Sequence, residues 1–518
     1  MKLWPGLGVA ALLSALSIGT LVMVALKAQG GATLGAADWA AIRFTLTQAI
    51  LSAVLSVLLA IPVARALARR QFRGRRSLIA LLGAPFLLPV IVAVLGLLSI
   101  YGRNGLFSAA LQLVGLGPIS IYGLKGVVLA HVFFNMPLAT RLFLQGWQAI
   151  PEQHFRLAAQ LGMRTGDINR RLETPMLKEV APGALAVIFL LSVTSFAVAL
   201  TLGGGPRATT IELAIYQAFR FDFDLAKAAL LAVAQFTIGA LAAYGAWKLA
   251  APTRFGVSSG GLREPERWDC QARSVLLRDA GVLLAAMLFL FLPLMAIFAS
   301  GLAGLTALPL SALGGAILRS VLVAFGAAGL TLCFALALGF AIVRLERSHA
   351  QTAGLIEGLG ALFIAASPMM IGTGLFIFLF PLVDPVALAL PITALVNATM
   401  SLPFALRAIL PALRQSEQGF GHLADSLGMQ GWGRFRLLTW PTIRRPALFS
   451  TGLAAALSMG DLGVIALFAD PQSATLPLML YRLTGSYQID AANGAALILV
   501  LLSFTLFWIF EREANRET

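Results

Sequence analysis

The sequence predicts an all-α polytopic membrane protein of about twelve spanning helices in two parallel six-helix repeats, and three observations predict it. Of its 518 residues, 59% are hydrophobic and only 12% charged. Its mean hydropathy of +0.86 exceeds what a soluble core can absorb. The apolar residues come in unbroken runs of about 20 or more, not in the alternation of barrel strands. A signature also recurs at a constant spacing. Leu157-Ala158-Ala159-Gln160-Leu161-Gly162-Met163 returns as Leu423-Ala424-Asp425-Ser426-Leu427-Gly428-Met429, an offset of 266 residues (428 − 162). Pro137, Arg141 and Pro175 find Pro403, Arg407 and Pro441 at the same offset. A gapless register over that span marks an internal duplication.

The apolar runs place spans at 7–27, 42–68, 79–102, 120–149, 181–203 and 225–250 in the first repeat. The second has 277–300, 314–344, 355–382, 386–410, 445–469 and 491–511. The first run is long and no small-x-small cleavage site follows it, which favours an uncleaved span over a signal peptide. Between the sixth and seventh runs, 251–276 carries Gly, Ser, Pro and charges that cannot sit in lipid. The chain therefore divides into a first transmembrane repeat (1–250), a linker (251–276) and a second repeat (277–518). Six spans is an even number, so both repeats enter the bilayer in the same direction and are related by an axis along its normal.

The formal charge of +15 is a matter of topology. Arg65, Arg69, Arg70, Arg73, Arg75 and Arg76 form one cluster. Arg156, Arg164, Arg170, Arg171 and Lys178 form another, and similar clusters occupy 248–278 and 414–445. All fall on one side of the spans, and the positive-inside rule makes that side cytoplasmic. This puts both termini in the cytoplasm, makes the lipid bilayer a partner and leaves no nucleic-acid footprint. Cys270 in the linker and Cys333 inside a span argue against a disulfide.

The doubled signature lies on the basic side. Helix formers run from Phe155 to Leu161, Gly162 can take the left-handed conformation that ends a helix, and Pro175 marks re-entry. The product is a short helix, a turn and a second helix outside the bilayer. Ala158, Leu161 and Met163 supply a small apolar face, repeated by Ala424, Leu427 and Met429, and such a helix suits a groove on a partner.

Here the chain resembles the ABC-importer permeases. The spacing Ala158, Gly162, Leu172, Pro175, repeated as Ala424, Gly428, Leu438, Pro441, is that of their EAA loop. The resemblance implies a type I importer permease fold in the bacterial inner membrane, with the loop as a coupling helix on the ATP-hydrolysing subunit. Arg156 and His422 stand where that family has its leading Glu. Tyr101–Gly105, Ala130–Pro137, Gly203–Gln217 and Met459–Gly463 are similar to the fused permeases for thiamine, and fused ferric-iron permeases share the length and repeat. The implied function is import of thiamine or its phosphates from the periplasm by alternating access, with ferric iron as the alternative. The implied partners are two copies of the ATPase subunit and a periplasmic substrate-binding protein. A proton-coupled secondary transporter fits less well, because it needs a titratable relay.

No G-x-x-x-x-G-K-[ST] phosphate loop occurs. The chain is thus expected to be no enzyme and to bind no cofactor or metal itself, leaving ATP and Mg to the partner subunits. A carboxylate at membrane depth is expensive, so Asp461 either lines the substrate path or is hydrogen-bonded near the outer interface; its register partner is Ser195. His131 and Asn135 share a helix face at i, i+4 and either contact substrate or bridge helices. On the outer side, 203–224 reads as a Gly-rich turn and a short amphipathic helix, matched by 469–490, with Ala208-Thr209 and Ala474-Thr475 holding the 266 register. There Arg207, Glu212 and Tyr216 are candidates to meet the binding protein, or else serve packing and a salt bridge.

Overall fold

The computed structural model describes residues 4–28, 33–203, 205, 208–249, 270, 272–346, 348–363, 366–468 and 474–515, and these contain helices and no strand. Most of the linker, 251–269 and 271, lies outside them. The first repeat comprises α1 (Trp4–Ala28), α2 (Ala36–Arg69), α3 (Val90–Tyr101), α4 (Leu124–Ala149), α5 (Glu152–Gln160), α6 (Thr174–Val193), α7 (Ile211–Arg220) and α8 (Leu225–Leu249). The second comprises α9 (Arg273–Gly304), α10 (Leu310–Glu346), α11 (Pro368–Leu379), α12 (Ala389–Ser426), α13 (Trp440–Met459), α14 (Leu476–Gly485) and α15 (Ile489–Asn515).

Among the described residues, eleven helices are long and apolar enough to cross a bilayer, not twelve. The run 355–382 is the one that fails. It divides into Ala350–Leu362 and the 12-residue α11, which at 1.5 Å per residue is about 18 Å long, short of the roughly 30 Å core; the equally short α3 counts only because Leu106–Leu113 continues it into a span of Val90–Leu113. Proline is the cause. The residue before a proline is pushed out of the helical region, and Ser367 stands at ψ 136° before Pro368. The first repeat breaks the same way: Leu88 stands at ψ 127° before Pro89, so 79–102 becomes three pieces ending in α3.

The first helix of each repeat bridges to the other repeat. α1 packs on α8 of its own repeat and on α10 and α11 of the second, and α9 packs on α15 of its own repeat and on α3 and α2 of the first. Glycine permits both approaches. A Cβ on Gly96 in α3 would stand 2.7 Å from the Pro293 carbonyl and Ile297 of α9, and one on Gly374 in α11 would stand 2.5 Å from Thr20 of α1. Without a hydrophobic drive between helices in lipid, such close backbone contact is what holds spans together. The two repeats are therefore interlocked by mutual exchange.

Polar pairs fix the same layers twice. Thr45 Oγ1 in α2 accepts from the Ile211 backbone N at 2.9 Å, starting α7. Ser320 Oγ in α10 accepts from the Leu476 N at 2.7 Å, starting α14. The residues preceding α7 and α14 are Thr210 and Thr475, an offset of 265, so the 266 register read from Ala208-Thr209 slips by one residue at the outer turns.

Candidate functional site

The two Gly-containing turns match in sequence and in hydrogen bonding. In the first, Gly162 takes φ +62° and the Met163 N donates to the Ala158 carbonyl at 3.0 Å. In the second, Gly428 takes φ +65° and the Met429 N donates to the Ala424 carbonyl at 2.9 Å. Only glycine takes that conformation without strain. A short helix follows each turn (Thr165–Ile168 and Gly431–Arg434), then a π turn (Asn169–Glu173 and Phe435–Thr439). Pro175 and Pro441 follow directly on these π turns, where the helical run passes without a break into α6 and α13.

The face each turn presents differs from the expectation in one respect. Ala158 and Ala424 are 3% and 2% exposed, so these alanines point into the body and do not supply the outer face. Phe155 and Gly421, three residues earlier, share that buried side, as helical periodicity requires. The outward apolar residues are Leu157 and Leu161 in the first copy and Leu423 and Leu427 in the second, all exposed. Met163 and Met429 are half-buried. The spacing of Leu157 and Leu161, one turn apart, carried this signal in the sequence. Arg156 and His422 are exposed on the same side, so a partner meets a basic residue and an imidazole where the resembled family offers carboxylates. Carboxylates near these positions are already engaged: Glu152 pairs with Arg156 at 2.9 Å, and Arg434 holds Glu417 at 2.9 Å and Asp425 at 2.6 Å.

Above the first turn, Glu173 is fully buried and bound by Arg65 at 2.7 Å and Arg69 at 3.2 Å. The equivalent residue is Thr439. A buried carboxylate removed from such partners would leave uncompensated charge, so this cluster ties α2 to the start of α6. In the second repeat Arg414 of α12 holds Glu346 at 2.6 Å and Glu357 at 2.7 Å. Arg70 crosses between repeats to Asp279 of α9 at 3.0 Å.

At the centre lies a cavity of about 210 Å³ lined by both repeats. His131, Phe134 and Asn135 of α4, Ser195, and Pro85 to Val90 at the proline break face Ala456, Leu457 and Gly460 of the second repeat. Three of the four candidate path residues thus come together. His131 Nδ1 lies 3.2 Å from Ser52 Oγ, which leaves Nε2 buried with no partner. Asn135 Nδ2 donates to Ser192 Oγ at 3.3 Å. In the second repeat Asn397 Nδ2 donates to Ser458 Oγ at 3.0 Å; Ser458 is the equivalent of Ser192, whereas Asn397 stands at the position of His131.

Asp461 stands apart from that cavity. Its Oδ1 accepts from the Gly463 N at 3.1 Å, capping the short helix Gly463–Phe468. It lines a separate pocket of about 10 Å³ with Ser320, Thr393, Ser458 and Thr475, the size of one water. A carboxylate used as a helix cap is held by the backbone and is not free to follow a cargo.

On the outer side, Arg207 lies outside the described residues. Glu212 and Tyr216 are buried, at 0% and 8% exposure, and do not face a partner. Glu212 accepts from Gln235 at 3.1 Å and from Ser367 of the other repeat, while Tyr216 packs edge-on against Phe196 and Phe221. Their helix is amphipathic, and the side that sequence alone would have exposed is turned inward against α8 and α11.

Two interlocked helical repeats, each with a Gly-turned helix pair, define the permease class of ABC importers. The comparisons agree with that class. The chain is 40% identical to the thiamine transport system permease protein ThiP of Brucella abortus, covering 97% of this chain and 94% of that one. Against the protein of that name in Salmonella typhimurium it is 39% identical over 99% of this chain and 96% of the relative. Against that in Escherichia coli the figures are 37%, 92% and 89%. No family model matches the chain. The chain belongs to the family of thiamine transport system permeases, multi-pass proteins of the inner membrane.

Proposed function

We propose that this chain is the transmembrane subunit of an ATP-driven importer that moves thiamine or its phosphates from periplasm to cytoplasm. The observation that carries the reading is the near full-length likeness to thiamine permeases in a chain with two equivalent cytoplasmic turns. Each turn would seat one ATPase subunit, so one chain recruits two, and both termini would lie in the cytoplasm. ATP and Mg would be held by those partners, since the sequence has no phosphate loop of its own.

Leu157 with Leu161 and Leu423 with Leu427 would enter grooves on the ATPases. Closure of the ATPase pair would draw α5 and the end of α12 together and rock the interlocked repeats about the central cavity. Alternating access follows from that rigid motion. Cargo would pass His131, Asn135 and Ser195, with Phe86 and Phe134 as aromatic walls; an aromatic face suits a thiazolium cation through cation–π attraction. Asp461 would act on the path through the helix it caps. Among the described residues no group of three or more His, Cys, Asp or Glu could hold a metal ion, so no observation favours the ferric-iron reading.

The test is uptake by proteoliposomes containing the permease and ATPase, with the cognate substrate-binding protein outside. Labelled thiamine should enter only with ATP, and vanadate should stop it. Iron uptake persisting where thiamine uptake is absent would overturn the assignment.

A further inference from the structure

At the position of His131 the two repeats have parted. In the second repeat the equivalent residue, Asn397, spends its amide on Ser458 Oγ at 3.0 Å and ties α12 to α13. In the first repeat the equivalent serine, Ser192, is reached from one turn further along α4, by Asn135 at 3.3 Å. The tie between these helices is thus made without position 131, and His131 is released from it. Its ring lines the central cavity. Among the described residues its hydrogen bond is to Ser52 Oγ of α2, at 3.2 Å.

That bond fixes which ring nitrogen carries the proton. A serine inside a helix can give its hydroxyl proton to the carbonyl four residues back, as Ser99, Ser300 and Ser503 do. Ser52 bonds to the His131 ring instead, so its proton has Nδ1 as acceptor. The opposite assignment, Nδ1 donating to Ser52, would leave the hydroxyl proton unmet as well. With Nδ1 accepting, the ring is neutral and its proton sits on Nε2. Nε2 is buried with no partner, in a cavity whose walls include Phe86, Leu88, Phe134 and Leu457. An unmet buried donor is costly, and the second repeat shows that the fold does not require a histidine there.

We propose that His131 reads the aminopyrimidine of the cargo, Nε2–H donating to one of its ring nitrogens. The assignment rests on the importer reading above and adds the atom and the group it recognises. The pyrimidine carries two unprotonated ring nitrogens that accept, whereas the thiazolium nitrogen is quaternary and accepts nothing. It is also the end that thiamine and its phosphates share, while the hydroxyethyl arm is where they differ. A neutral imidazole does not repel the adjacent cation, which is left to the aromatic faces of Phe86 and Phe134. A buried donor discriminates well, because a ligand without the matching acceptor leaves it unmet. Recognition of this ring belongs to the first repeat alone. In the second, Asn397 is held by Ser458 and Asp461 by the Gly463 N at 3.1 Å.

A double-mutant design separates this contact from packing. The permease–ATPase complex is reconstituted in proteoliposomes, and uptake is measured for thiamine and for its two pyridine analogues, each with one pyrimidine nitrogen replaced by C–H. All three are presented on saturated binding protein, whose own preference is common to every permease variant and cancels when ratios are compared. For one analogue, the thiamine-to-analogue rate ratio should fall about 10-fold from wild type to His131→Leu and about threefold to Ser52→Ala, which frees Nδ1 to take the proton. His131→Gln keeps an N–H at similar reach and should retain the wild-type ratio. Asn397→Leu should lower the thermal midpoint of the complex and leave the ratio unchanged. Ratios unmoved in both His131→Leu and Ser52→Ala overturn the contact and leave Nε2 to a buried water. If His131→Leu fails to assemble, Ser52→Ala and His131→Gln decide alone. A ratio that falls as far in Asn397→Leu as in His131→Leu overturns the confinement to the first repeat. A wild-type complex without ATP-dependent thiamine uptake overturns the importer reading itself.

Discussion

In the first repeat the chain enters its cytoplasmic turn through a separate helix, α5, set off from α4 at Ile150 and Pro151. In the second it enters through α12, which runs unbroken for 38 residues from Ala389 to Ser426. The residue equivalent to Pro151 is Glu417, which continues the helix and pairs with Arg434. Beyond that point the two copies match in the glycine, the closing hydrogen bond, the π turn and the proline. Duplication has preserved the part that a partner would touch and released the stem that carries it. The turn thus answers to docking, and the stem to the packing of its own repeat.

The largest effect belongs to the shared face: Leu161→Asp and Leu427→Asp should each reduce thiamine uptake at least 100-fold and release ATPase on co-purification, hot-spot losses of about 3 kcal/mol. If only one copy matters, the equivalence of the turns is wrong. Next come the turns themselves. Gly162→Val or Gly428→Val forces a β-branched residue to φ above +60°, costing about 1–3 kcal/mol, and protease sensitivity of the loop should rise equally in both.

The stems should then diverge. Arg434→Ala removes contacts to Glu417 at 2.9 Å and Asp425 at 2.6 Å, on a side chain only 18% exposed, and should lower the thermal midpoint of the complex by a few degrees. Arg156→Ala removes one exposed i, i+4 pair, worth about 0.3–0.5 kcal/mol, and should leave the midpoint unchanged. Smallest of all, Pro151→Ala should let α4 continue toward α5. Uptake should change less than threefold, with increased helical protection of residues 149–152 in hydrogen exchange.

The contrast between turn and stem also explains what could be read from the sequence. Gly162, Gly428, Pro175 and Pro441 act through their own backbone, so their spacing alone located both turns and the duplication. Long apolar runs found the spans for the same local reason. Ala158, Glu212 and Tyr216 failed as surface residues because their orientation depends on which neighbour covers the helix. Asp461 was legible as a buried carboxylate, whereas its use as a cap for Gly463–Phe468 depends on a turn that hydropathy hides. The proline breaks at Pro89 and Pro368 were visible as residues, but the apolar runs around them masked their effect. The exchange of α1 and α9 between repeats left no local mark, since Gly96 and Gly374 signal close approach without naming the partner helix.

The central claim is that one chain offers two equivalent seats to two motor subunits. Native mass spectrometry of the assembled complex in nanodiscs tests it most directly. One permease chain with two ATPase subunits is the predicted composition, falling to one ATPase when either Leu161 or Leu427 is replaced by Asp. A wild-type complex holding a single ATPase subunit, or none, would contradict the account.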